Sequence, residues 1–278
     1  MLPTQLLAFG FGYVATELAR ILKANGIKSA GTVRSAASAE PLLAEGFEPI
    51  IWPGSDIAVP DGAGWLISVP PDAQGCPVFR AFGEQAASAN WIGYLSTTGV
   101  YGDLGGGWAF EETPLVPLSR EATNRVRGEA QWLDVGARVF RLPGIYGPGR
   151  SQIERVREPN ARRIVKPGQV FSRAHVSDIA QALHLAMTVN TSARIFNICD
   201  DEPAPADEVL THAADLLGIA RPPAVAFEDA GLSPAAQRFY AECKRVSNAR
   251  AKAALGWRPQ FPTYREGLRA CLQADAST

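Results

Sequence analysis

The chain has 278 residues, 46% hydrophobic and 20% charged, with 27 basic side chains against 28 acidic and a formal net charge of −1. A chain of this length builds its own core, as one large α/β domain or a domain with a smaller lobe, without metal or disulfide staples. The balanced charge argues against a nucleic-acid or membrane-surface protein, since both display a basic excess.

Cys76, Cys199, Cys243 and Cys271 lie far apart and form no C-x-x-C, so neither a metal finger nor a secreted disulfide framework is read from them. The first residues carry no basic region and too short an apolar run for a signal peptide, and no stretch approaches the roughly eighteen apolar residues of a membrane span. The expectation is a soluble, cytoplasmic protein with a small-molecule substrate, no membrane or nucleic-acid partner and no metal.

Residues 5–9 read as a buried strand and 13–25 as a helix with Val14, Leu18, Ile21 and Leu22 on one face, closed by Gly26. A strand at 28–33 and a helix at 35–45 follow. Further strands are expected at 48–52, 64–69 and 91–96, with a helix at about 78–89. Strands separated by helices imply βαβ crossovers and a parallel sheet. A Gly-rich loop (102–107), a helix at 119–133 and a strand at 137–142 come next. Beyond Gly149 the alternation weakens: helices at 152–158, 176–189, 206–217 and 263–274, and a strand at 194–198. The expected division is a dinucleotide-binding domain over 1–150 and a substrate lobe over 151–278. Residues 176–198 are able to return a helix and strand to the main sheet.

Phe9-Gly10-Phe11-Gly12-Tyr13-Val14-Ala15 fits G-x-G-x-x-[G/A] between the first strand and the first helix. Gly10 permits the tight turn, Gly12 clears the approach of a pyrophosphate, and Ala15 lets helix and strand pack closely. The backbone of Phe11, Tyr13 and Val14 at the helix N-terminus supplies N–H groups and partial positive charge to the phosphates. An NAD site places an acidic residue about twenty residues past the glycines; here the position is Arg34. A guanidinium suits a 2′-phosphate, so NADP is expected ahead of NAD. Ser68, at the end of the fourth strand, is a further cofactor contact.

Several segments resemble the extended short-chain dehydrogenase/reductase family, which contains nucleotide-sugar epimerases and dehydratases. Leu95-Ser96-Thr97-Thr98-Gly99-Val100-Tyr101-Gly102 resembles the family's S-[ST]-x-x-V-Y-G strand end. The segment Arg141 to Gly149 (RLPGIYGPG) resembles R-x-x-x-[VI]-Y-G-P-G, the stretch from His175 to Ala180 resembles H-V-x-D-[IL]-A, and Phe196-Asn197-Ile198 resembles the next strand. The resemblance covers about residues 5–270 and implies a Rossmann-type, doubly wound parallel α/β sheet with a smaller C-terminal α/β substrate lobe.

In that family a Tyr-x-x-x-Lys on the helix after the Ser/Thr strand moves the proton, while the Ser/Thr hydroxyl orients the substrate. Thr97 matches the hydroxyl and Ser96 beside it adds a cofactor contact. Counting back from Glu129, the tyrosine position is Glu121 and the lysine position is Arg125. Arg125 keeps the charge that holds the cofactor ribose, but it cannot relay a proton. Glu121 is either a carboxylate base or one half of an i,i+4 ion pair with Arg125. Tyr101 is a second candidate proton donor, and a bound water a third. Pro143, Gly144 and Ile145 are expected to border the nicotinamide. The literal Tyr240-Ala241-Glu242-Cys243-Lys244 comes too late in the chain to occupy the cofactor helix. Thr98 and Gly99 stand where dehydratases carry Asp-Glu, so sugar-nucleotide dehydration is not expected. The pattern is closest to the family's atypical branch.

His175 reads as a core residue beside a helix start, with Ser177 or Asp178 placed to cap that helix. Arg150 and Arg173 are either anion ligands or ordinary surface charge. His184 and His212 lack partners at metal spacing. The resulting expectation is NADP-dependent redox or epimerase chemistry on a small or nucleotide-linked carbonyl or alcohol, with a homodimer expected by analogy only. The alternative is an inactive NADP-sensing protein.

Overall fold

The computed structural model describes residues 2–54 and 56–276. Seven parallel strands form the central sheet: β1 (Gln5–Phe9), β2 (Lys28–Val33), β3 (Glu48–Ile51), β4 (Gly64–Ile67), β5 (Trp91–Thr97), and, after the two-residue β6 (Trp108–Ala109), β7 (Arg138–Leu142) and β11 (Ile195–Asn197). Their order is β3-β2-β1-β4-β5-β7-β11. The order reverses between β1 and β4, and a crevice opens beyond the carboxyl ends of strands at such a point.

Period-two alternation in β1 decides its packing. Leu6 and Ala8 face a core shared with α1 (Tyr13–Ala24), α2 (Ala36–Ala44), α6 (Val176–Thr188) and α9 (Ala249–Leu255). Leu7 and Phe9 face the opposite core with Trp65, Tyr94 and Trp132, under α3 (Pro77–Phe82) and α4 (Arg120–Asp134). Gly31 lets Phe11 cross β2, because a Cβ there would fall 2.5 Å from the Ala8 carbonyl oxygen and 2.8 Å from the Phe11 ring.

The chain leaves the sheet after β7 and comes back to it. Beyond β8 (Gly144–Tyr146), α5 (Gln152–Val156), β9 (Arg163–Val165) and β10 (Arg173–His175), α6 packs on α1 and β11 pairs with β7. The sheet therefore draws on chain from both sides of residue 150. A third core gathers α5, α7 (Ala206–Leu217) and α10 (Tyr264–Asp275) around Ile153, Val209 and Leu268. β12 (Ala224–Ala226) pairs with β9, α8 (Pro234–Phe239) follows, and β13 (Arg245–Val246) pairs with β6.

Two differences from the sequence reading have local causes. The helix expected at 78–89 is six residues of α-helix followed by a 3-10 stretch from Gly83. Glycine costs a helix about 1 kcal/mol, and a Cβ at Gly83 would press on the Phe79 ring at 3.3 Å. The strands β6, β8, β9, β10, β12 and β13 were not expected. At two or three residues each they are too short to show alternation.

Leu18 is fully buried between α1 and the sheet. Leu18→Ala is expected to lower the unfolding free energy by about 2–5 kcal/mol, read from the urea midpoint at constant m-value. A loss below about 0.5 kcal/mol, the range of surface substitutions, would mean that this face is not buried.

Candidate active site

The glycines of the first turn serve different needs. Gly10 has a φ of +92°, and a Cβ on it would lie 3.2 Å from the Val69 backbone nitrogen and 3.3 Å from Ser68. Its N–H donates to Thr32 Oγ1 at 2.7 Å, which fixes the turn against β2. Gly12 has open space where its Cβ would stand, so backbone is presented to any group that approaches. Gly12 is also the N-cap of α1; no side chain caps the helix and its first turn holds no acidic residue. The orphan N–H groups at Tyr13, Val14 and Ala15 are thus left for an anion. The side chains of Phe11, Val14 and Ala15 belong to the core, with Phe11 against Phe47 at 5.4 Å. Tyr13 turns outward and donates to the Pro148 carbonyl oxygen at 3.0 Å.

Arg34 lies exposed just past β2, and no hydrogen bond or ion pair engages it among the described residues. Ser35, beside it, caps α2 by accepting from the Ser38 N–H. Half-buried Ser68 donates its N–H to the Phe9 carbonyl oxygen at 2.8 Å, which brings β4 close to the turn.

Under the next strand ends lies a dry polar network. Arg141 and Glu129 form a two-pronged ion pair at 2.7 and 3.0 Å with both side chains 3% exposed. Ser96 donates its hydroxyl to Glu129 at 2.5 Å. Arg141 also donates to the Tyr101 hydroxyl at 3.0 Å, and Tyr101 donates to Asn197 Oδ1 at 2.7 Å. This bears on two expectations and overturns the one for Tyr101. Tyr101 is fully buried with its hydroxyl spent on Arg141 and Asn197, and burial pushes its phenol up, so it donates no proton to a substrate. Ser96, expected to touch the cofactor, spends its hydroxyl on Glu129.

Thr97 borders a cavity of about 1070 Å³ that also takes in Glu121, Pro143, Gly144 and Ile145. Gly10, Gly12, Arg34 and Ser68 are not on its walls; they lie farther along the same carboxyl edge. Thr97 Oγ1 accepts from the Gly99 N–H at 3.1 Å, which leaves its own hydrogen free to donate. Glu121, in the first turn of α4, is exposed and forms no ion pair with Arg125. Arg125 instead donates to the Leu95 carbonyl oxygen at 2.7 Å, with its guanidinium 5.8 Å from the centre of the Tyr94 ring. Arg125 therefore braces α4 against β5 and does not face the cavity, contrary to its expected place at the ribose.

The far wall was not foreseen. Arg155, Arg162 and Arg238 line it together with Phe171, Phe239, Tyr240 and Lys244. These come from short loops and helices with no periodic signal in the sequence. Tyr240 and Lys244, set aside by chain order, do reach the cavity, yet not as a catalytic pair. Tyr240 packs among Phe171, Phe227 and Phe239, and burial raises its phenol. Lys244 donates to the Gly102 carbonyl oxygen and to Glu242. Of the two arginines singled out earlier, Arg150 is exposed on the cavity wall; Arg173 is buried and donates to the carbonyl oxygens of Phe171 and Ala204. Among the described residues no group of three or more His, Cys, Asp or Glu side chains gathers to hold a metal.

His175 itself caps α6, its Nδ1 accepting from the Ser177 N–H at 3.3 Å, where Ser177 or Asp178 was expected to do so. Asp178 faces away and accepts from the N–H groups of Gln260 and Phe261 at 2.6 and 3.2 Å. Burial between the Tyr146 and Phe261 rings drives the His175 imidazole down to about 4.

No family model matches the sequence. The chain is 48% identical to a functionally unknown conserved protein from Silicibacter pomeroyi DSS, covering 99% of this chain and 100% of the other, with a TM-score of 0.93. It is 25% identical to a protein from Methylobacillus flagellatus provisionally described as an NAD-dependent epimerase/dehydratase, over 99% and 100% of the two chains with a TM-score of 0.72. A 176-residue stretch is 30% identical to a 3-diazoavenalumate denitrifying reductase from Streptomyces sp, covering 58% of this chain and 53% of that protein. The matched stretch thus spans about half the length of that curated relative.

The His175 shift carries a pH signature. The folded state resists protonation that the unfolded chain accepts below its ordinary value of 6.5, so stability falls as pH drops from 6.5 towards 4. Asn is also a good N-cap but does not titrate. The stability difference between wild type and His175→Asn is therefore expected to move by about 2 kcal/mol in favour of the variant from pH 7 to pH 5. Urea unfolding at both pH values checks this; a constant difference would remove the assignment.

Proposed function

We propose that the chain is a member of the extended short-chain dehydrogenase/reductase family, of the epimerase/dehydratase-like kind, and that it is an NADP-dependent oxidoreductase acting on a small carbonyl or alcohol. One observation carries the reading: Thr97, Glu121 and the Pro143–Ile145 wall meet in one cavity at the sheet edge that begins with the uncapped glycine turn. The names of two relatives support it, one an NAD-dependent epimerase/dehydratase and the other a reductase.

The residues present fit a dinucleotide. The open space at Gly12 and the orphan N–H groups of α1 receive the pyrophosphate. Arg34, exposed and unpaired where an NAD site carries an acid, takes the 2′-phosphate. Ser68 and the Pro143–Ile145 stretch hold the cofactor farther along the edge. The bound nicotinamide supplies or takes up the hydride. Thr97 donates its free hydroxyl hydrogen to the substrate oxygen and fixes the reacting carbon. With Tyr101 locked and a carboxylate at the tyrosine position, a proton needed by an alkoxide product comes from solvent in the open cavity.

Excess NADPH, at about 100 times its dissociation constant, is expected to stabilise the native state by roughly 2.7 kcal/mol, visible in thermal unfolding, with a smaller effect from NADH. Arg34→Asp should erase or invert that preference; unchanged preference would remove Arg34 from the 2′-phosphate site. NADPH consumption across a carbonyl panel, lost in Thr97→Ala, supports the enzyme. Binding without turnover supports a nucleotide sensor instead.

A further inference from the structure

Glu121 stands at the position where the family carries its proton-donating tyrosine, and it carries neither a hydrogen bond nor an ion pair among the described residues. Reduction of a carbonyl creates an alkoxide, and an alkoxide needs an acid. The cavity offers a poor choice of acids beside Thr97. Glu121 as a carboxylate only accepts. Tyr101 is locked in the buried network. The Tyr146 hydroxyl is buried without a partner, and burial raises its phenol. An exposed, unpaired carboxylate on the cavity that Thr97 also lines suits a substrate that brings its own positive charge.

We propose that the cavity reduces a cationic, planar electrophile bearing a carboxylate, with Glu121 as the counter-ion of the reacting centre. This narrows the redox reading above and rests on it. In an iminium ion the C=N⁺ carbon gains the hydride of a reduced nicotinamide, and the π pair moves onto nitrogen. The product is a neutral amine, the nicotinamide is left oxidised, and no proton moves. In an aryl diazonium ion the ring carbon gains the hydride while the C–N bond breaks with its pair, releasing dinitrogen, again with no proton. Both place a cation at the hydride-accepting centre and dispense with the missing tyrosine.

The rest of the cavity agrees with a charged tail. Arg150, Arg155, Arg162 and Arg238 line it without a side-chain hydrogen bond or ion pair among the described residues. On the same wall the Glu154 carboxylate is engaged by Ser151 and Gly149 and Glu242 by Lys244, and Glu158 has no ion-pair partner among the described residues. The wall therefore carries an excess of free guanidinium, suited to a two-pronged carboxylate contact. Phe171 and Phe239, stacked at 4.3 Å, add an apolar face for a flat ring. Negative charge on the α4 side and positive charge on the C-terminal-lobe side match a cationic centre with an anionic tail.

The first test is calorimetric and needs no turnover. With NADP⁺ present, 4-amidinobenzoate is expected to bind at least about tenfold tighter than its neutral-headed analogue 4-carbamoylbenzoate. In Glu121→Gln the preference should shrink to about threefold or less, chiefly through weaker 4-amidinobenzoate binding. Equal affinities, or a preference that survives Glu121→Gln, overturn the proposal. An NADPH thermal shift in the same series separates the two readings: a shift without cation preference sinks only this inference, and no shift sinks both. A second series compares NADPH oxidation with a carboxylated iminium salt, a carboxyaryl diazonium salt and the corresponding aldehyde. Amine formation identifies the first source and dinitrogen release the second, whereas faster turnover of the aldehyde than of either cation overturns the proposal.

Discussion

Two opposite charges, Arg141 and Glu129, leave water together at the carboxyl edge of the sheet, and the geometry of the site depends on their staying paired. Taking each out of water costs several kcal/mol, repaid only by near-ideal geometry and by partners for the remaining donors. Those partners are present: Ser96 and Tyr101 on and beside β5, the Glu111 backbone, and through Tyr101 the Asn197 side chain on β11. One pair therefore registers α4 against β5, β7 and β11 at once. Glu121 is two turns away from Glu129 on the same helix, so its place on the wall of the cavity that Thr97 also lines is inherited from this buried contact.

The same network holds the helix in position while Arg125 turns away from the cavity. Arg125 remains a cation four residues past Glu121, but its guanidinium spans to the Leu95 carbonyl oxygen and lies over Tyr94. A planar fork with five donors finds a backbone acceptor more readily than a compact ammonium does. Gly128 makes this close approach workable, because a Cβ there would lie 2.3 Å from the Tyr94 hydroxyl. The helix is thus braced by Arg125 and by the close approach at Gly128, and among the described residues Glu121 is left without a hydrogen-bond or ion-pair partner.

Two stations share the carboxyl edge without merging. The glycine turn, Arg34 and Ser68 occupy the β1, β2 and β4 ends, whereas Thr97, Glu121 and the Pro143–Ile145 stretch open into the cavity under the C-terminal lobe. Tyr13 links them, its ring at the turn and its hydroxyl on the Pro148 carbonyl oxygen. The lobe is anchored in turn by His175 and Asp178 at the start of α6, one capping the helix and the other holding the 260–261 backbone.

The sequence by itself determined whatever depends on near neighbours in the chain. Alternation in β1, the apolar face of α1 and the glycine spacing are local signals, and the sheet and its glycine turn follow from them. The order of motifs singled out Thr97, Glu121 and Pro143–Ile145, and the fold brings these to one cavity. Only the tertiary structure decided which side chains remain free. Whether Tyr101 is a donor or a buried strut depends on Arg141 and Asn197, forty and ninety-six residues away. Whether Arg125 pairs with Glu121 or with Leu95 depends on how closely α4 lies on β5, and the arginine wall depends on segments with no regular period. Hydrogen-bond partners distant in sequence leave no periodic trace, so the fold was legible residue by residue while the charge pattern of the site was not.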